Sequence, residues 1–144
     1  MTLIHSTPFL YTVSIFEIAP QAKALFPFVK WYKENDEGLF EDPAFLAHAR
    51  GVVGMLDACV NLLGPDLEPV TRTLEELGAR HSQYGVVDAH YPIVGEALLK
   101  TLETAIGDKW TPTVKEGWVS IYTFISLSMQ NGAEHAVSKE QIDL

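Results

Sequence analysis

The chain has 144 residues, 47% of them hydrophobic, enough for one domain that buries roughly two-thirds of its unfolded surface without staples. A net charge of -9 at pH 7 disfavours phosphate backbones and anionic lipid headgroups, and the densest basic group, Lys23, Lys30 and Lys33, is soon answered by Glu34, Asp36 and Glu37. Cys59 is the only cysteine, so an intramolecular disulfide and a thiolate metal cage are excluded, and no apolar run approaches the ~20 residues that cross a bilayer. The expectation is a cytoplasmic chain with neither nucleic-acid nor membrane partners.

Period-2 alternation never persists, whereas segments of helical period alternate with Pro and Gly punctuation, so the fold class is all-α. Thr7-Pro8 starts a first helix that runs toward Ala19, and Pro20 stops it and opens a turn through Leu25-Phe26-Pro27-Phe28. After a polar stretch from Trp31, Asp42-Pro43 caps a second helix carrying Phe45, Val52, Leu56, Val60 and Leu63, which Gly64-Pro65 ends. A third helix begins near Asp66 and gives way around Gly85. Asp88 is the expected cap of a fourth, Tyr91 to Ile106, and Thr111-Pro112 repeats the cap-plus-proline signal before Val114, Trp118, Ile121, Tyr122 and Ile125.

Two of these helices carry a titratable ring in an apolar stripe. Leu67, Val70, Leu74, Leu77 and His81 keep 3- and 4-residue steps, and so do Phe45, His48, Val52, Met55 and Cys59. A histidine facing a core needs a partner. Alone, His81 would by default be a satisfied core histidine, and His48 a half-exposed helix residue near a cleft mouth. Together, two imidazoles facing one apolar space suggest an axial pair around an iron porphyrin. Helical geometry offers the Leu77 carbonyl or Ser82 as acceptor for the second ring N–H of His81. His5, His90 and His135 have no metal-site spacing and are expected on the surface, and Arg80 is expected to be solvated. No C-x-x-C-H is present, so haem would be held without a covalent link.

Pro20 six residues before Phe26, Ala47-His48 with Val52 one turn on, Leu77 one turn before His81, and Gly85-Val86 together resemble a globin from about Phe9 to Gln130. The run His90-Tyr91-Pro92-Ile93-Val94-Gly95-Glu96-Ala97-Leu98-Leu99 looks like the penultimate-helix signature of bacterial haemoglobins and flavohaemoglobins. Leu77-Gly78-Ala79-Arg80-His81 and the long segment between Phe26 and His48 look more like neuroglobin or cytoglobin. The resemblance implies a single globin domain over 1–144, a globin-like helical sandwich binding non-covalent haem b. It makes His81 the proximal iron ligand and His48 the distal residue, able to donate to bound dioxygen or to become the sixth ligand. Phe26 would pack flat on the porphyrin, Val52 would neighbour the gas, and Leu77 and Val86 would brace the proximal side. Thr12 departs from the tyrosine that bacterial members often carry, and Tyr11 would point about 100° away.

The implied function is reversible binding of dioxygen, carbon monoxide or nitric oxide. Two alternatives stay open: nitric oxide dioxygenase or peroxidase-like chemistry, and a haem-free sensory or structural domain. No flavin or nicotinamide fingerprint follows, so steady turnover would need an external reductase. Globins usually spend two helices before the turn at Pro20, and here nineteen residues precede it. Ser138-Lys139-Glu140-Gln141 reads as a capping box near the other end. The expectation is a shortened or permuted first helix, with 131–137 a connector and 138–144 a relocated first-helix segment. A groove left open by it would favour a homodimer.

Overall fold

The computed structural model describes residues 14–27, 29 and 38–142. The expected helix start at Thr7-Pro8, together with Tyr11, Thr12 and most of the polar stretch from Trp31, lies outside the described residues. Within them the chain is helical and contains no strand, as its periodicity predicts. Residues 14–18 (α1) are helical, and a 3-10 helix follows over Pro20–Leu25 with the proline at its start. A shorter 3-10 turn, Leu39–Glu41, leads into α2 (Pro43–Leu62). Then come α3 (Glu68–Gln83), α4 (His90–Ile106) and α5 (Pro112–Ile142).

Local chemistry explains most of these boundaries. The N–H groups of Ala44 and Phe45 donate to Asp42 Oδ1 at 2.7 and 3.2 Å, so two donors that a helix start leaves unpaired are satisfied. Pro69 occupies the first turn of α3, while Asp66 Oδ1 accepts from the Glu68 N–H at 3.0 Å. Beyond α3, Gly85 takes φ 90°, a conformation that glycine adopts without steric penalty. Thr111 Oγ1 accepts from the Val114 N–H at 3.3 Å and opens α5.

Two expectations are corrected. Ala89, not Asp88, is the N-cap of α4, and it makes no side-chain capping bond; a histidine closes the preceding turn instead, His90 Nδ1 accepting from the Val87 N–H at 3.0 Å. Nor is there a connector over 131–137 or a new cap at Ser138. Helix α5 runs unbroken through these residues, and Ser138 Oγ donates to the Glu134 carbonyl one turn back at 3.0 Å.

The core forms two clusters. Ile15, Phe16, Ala19 and Ala22 pack with Leu39, Phe45, Ala97 and Leu98 in one, and Cys59, Val70, Leu74, Tyr91, Ile125 and Met129 form the other. Leu56 of α2 touches both. Helix α3 packs chiefly on α5 and touches α2 little, so α2 and α3 diverge from their connecting turn with a histidine on each.

Candidate functional site

His81 lies near the C-terminus of α3, with its Nδ1 2.8 Å from the Leu77 carbonyl oxygen. A carbonyl only accepts, so Nδ1 carries the proton and Nε2 keeps its lone pair. Of the two acceptors expected from helical geometry, the Leu77 carbonyl is the one used; Ser82 Oγ donates to the Ala79 carbonyl at 2.7 Å. The backbone N–H groups of Tyr84 and Val86 donate to the His81 carbonyl, each at 3.1 Å, which ties the helix end to the turn after it. The ring is half-buried and stands edge-on to Tyr84, with centroids 6.1 Å apart.

His48 lies on α2. Its ring meets Phe26 edge to face at 5.0 Å, and Phe26 meets Phe16 in the same way at 5.3 Å, so the 3-10 segment after Pro20 delivers an aromatic wall to the imidazole. The side chain is open to solvent on one side and crowded on the other. Burial of the crowded side holds its pKa below the usual histidine value, and the charge of His81 lowers it further. The His81 imidazole therefore acts on His48 although it stands 33 positions further along the chain.

The remaining expected residues divide between the two core clusters. Phe26 and Val52 pack against the first, on the His48 side, while Leu77 and Val86 pack against the second, on the His81 side. Met55 also belongs to the second cluster. A cavity of about 270 Å³ bordered by Val53, Val60, Leu98, Leu102 and Trp118 has neither imidazole in its lining.

This donor set suits a metal macrocycle better than a bare ion. Among the described residues no three His, Cys, Asp or Glu converge, so His48 and His81 have no further protein ligands to complete a coordination sphere. A porphyrin brings four equatorial nitrogens of its own and asks the protein for one or two axial donors and an apolar cleft. One imidazole whose Nε2 keeps its lone pair, a second close enough to feel its charge, and apolar side chains packed beside both match that demand.

Sequence patterns did not expose the contacts that hold the helices behind the site. Tyr122 of α5 donates its hydroxyl to the Tyr91 carbonyl of α4, and its ring lies against Gly95, where any Cβ would approach Cδ1 to 2.8 Å. Burial chiefly, and the Tyr91 phenol next, push the Tyr122 hydroxyl well above its usual pKa against a smaller opposing effect of the Gly95 amide. Tyr91 is likewise raised, by burial and then by Asp88, and burial raises the Cys59 thiol. A glycine inside a helical pattern was the available signal, because it marks a place where something approaches closely.

Comparison with known proteins identifies the family and the fold. The sequence model of the globin family matches residues 11–129. A leghemoglobin of Medicago sativa is 41% identical over 115 residues, covering 79% of this chain and 74% of its own. An anaerobic nitrite reductase of Arabidopsis thaliana is 36% identical over 118 residues, covering 81% and 73%. Among solved structures, a hexacoordinated heme protein from an anhydrobiotic tardigrade superposes with a TM-score of 0.80 at 18% identity, over 91% of this chain and 83% of that one. With most of its length matched in sequence and the same helical arrangement in space, the chain belongs to the globin family, whose members hold haem b without a covalent link and bind diatomic gases at its iron.

Proposed function

We propose that this globin reversibly binds dioxygen, and also carbon monoxide and nitric oxide, at a haem held by His81, with His48, Phe26 and Val52 on the gas side and Leu77 and Val86 behind the ligand. The observation that carries the reading is the His81 Nδ1–Leu77 carbonyl bond, which fixes the tautomer and leaves Nε2 as a donor. Bound haem supplies the iron coordination position at which a gas is held. The chain's part is to orient and to select. The Leu77 carbonyl makes Nε2 of His81 a stronger donor, and the apolar border limits water. His48, disfavoured as a cation, keeps both an N–H to offer a gas molecule and a lone pair to offer a metal.

Finer points belong to the same proposal. The run His90–Leu99 supports kinship with bacterial haemoglobins, the lone buried Cys59 supports a reducing cytoplasmic setting, and sustained redox turnover would draw on a separate reductase. Self-association as a homodimer is a further part of the reading. The Arabidopsis relative, named as a nitrite reductase, favours a second reading in which the same site performs redox chemistry on small nitrogen oxides. Cycling the ferrous protein between argon and air separates the two. The binding account expects the optical spectrum to return over repeated cycles, and faster dioxygen loss after His48→Leu. Irreversible oxidation at first exposure, with nitrite or nitric oxide consumed once a reductant is supplied, would overturn it.

A further inference from the structure

The ridge of α3 that ends in His81 is seated on α5 through two glycines. Val70, Leu74 and Gly78 of α3 are buried, as are Ile125, Met129 and Gly132 of α5. A Cβ at Gly78 would overlap the Met129 carbonyl oxygen and lie 2.5 Å from its carbon and 2.6 Å from its Cα. At Gly132 a Cβ would overlap the Glu75 carbonyl oxygen, with that residue's carbon and Cα at 2.5 Å. The two contacts are reciprocal: Gly78 stands three positions after Glu75 on one helix, and Gly132 three positions after Met129 on the other. A hydrogen bond of 2.6 Å from Asn131 Nδ2 to Glu75 Oε1 spans the same crossing.

Neither glycine has a positive φ, so backbone conformation does not require them. Both sit inside helices, where glycine weakens the element. What requires them is distance, because here backbone lies directly on backbone. Packed interiors transmit such displacements, and a methyl at either position would force the helices apart by about 1 Å or tilt them. Gly78 stands three residues before His81 and next to Leu77, whose carbonyl fixes the imidazole.

We propose that Gly78 and Gly132 are positioning residues that set where His81 presents Nε2, so that α5 acts as the seat of the iron ligand. This rests on the reading of His81 as that ligand. The test is the iron–histidine stretching line in resonance Raman spectra of the haem-loaded protein, recorded immediately after photodissociation of carbon monoxide. Gly78→Ala and Gly132→Ala should move the line in the same direction, since both add a methyl at one crossing. Gly117→Ala, also in α5 but with no atom within 4 Å of the added Cβ, should leave it in place. Lines unmoved in both crowded variants, or moved equally by Gly117→Ala, would overturn the proposal. If the crowded variants do not fold, Asn131→Ala carries the test, because it loosens the crossing without adding volume. A shifted line supports the seat and an unmoved one refutes it. Persistence of the wild-type line in His81→Ala would instead refute the ligand reading and remove the premise.

Discussion

Gly95→Ala offers a prediction in which two effects of opposite sign compete. In a helix interior the substitution on its own stabilises by about 0.5–1 kcal/mol, because alanine restricts the unfolded chain and favours the helix. Here, however, the new methyl would stand 2.8 Å from Cδ1 and 3.2 Å from Cζ of Tyr122, and closer still to Cε1. The ring cannot simply swing aside, since its hydroxyl is anchored on the Tyr91 carbonyl. Overpacking of this kind costs about 1–3 kcal/mol, so the net effect is a destabilisation of about 1 kcal/mol, or about 3 °C in Tm for a chain of this length. In a Tyr122→Val background the clash is gone and the same change should stabilise by about 0.5–1 kcal/mol. Urea unfolding followed by far-UV circular dichroism, on all four members of the cycle, measures both signs. Stabilisation of equal size in both backgrounds would refute the argument that Gly95 exists to admit the Tyr122 ring.

Asp42→Ala removes the acceptor of two α2 N–H groups and should cost about 1 kcal/mol in urea unfolding, with Asp42→Asn retaining most of it; equal loss in both would contradict a capping role. Leu74→Ala, at a fully buried position of the second cluster, should cost about 2–5 kcal/mol, and a loss within about 0.5 kcal/mol would mean that the site is not packed as described. His48 titrates below its ordinary value in the folded chain, so as pH falls the unfolded chain takes up the proton first. Stability should therefore decline from about pH 6.5 down through the lower folded pKa, beyond which the penalty is complete. The fall in urea midpoint of the apoprotein between about pH 7.5 and about pH 5 should be smaller in His48→Gln, and an unchanged fall would contradict the assignment.

Where a signal is local, the sequence was informative. Asp42-Pro43 and Thr111-Pro112 open helices because a side-chain oxygen and a preset φ act within one turn, whatever the rest of the chain does. The His81–Leu77 bond was legible for the same reason, being a contact between residues one turn apart. Signals that depend on remote partners misled or were silent. Asn131-Gly132 resembles a turn, and Ser138 to Gln141 resembles a capping box, yet Gly132 lies inside α5, where its bare Cα admits the Glu75 backbone. A capping box works only where the residues before it have left the helix, and here they have not. Asp88 failed as a cap because His90 closes that turn first. The pairing of Phe26 with His48, and the split of the site residues between two clusters, required the fold.

The account turns on one bond, between His81 and haem iron, and the most direct test is the absorption spectrum of ferrous His81→Gly with and without added imidazole. The account predicts that the substitution abolishes or strongly weakens the Soret band of the wild-type protein and its shift with carbon monoxide, and that free imidazole restores both by occupying the space the side chain left. A wild-type Soret band and carbon monoxide response in His81→Gly without imidazole would contradict it, because the iron would then be held elsewhere.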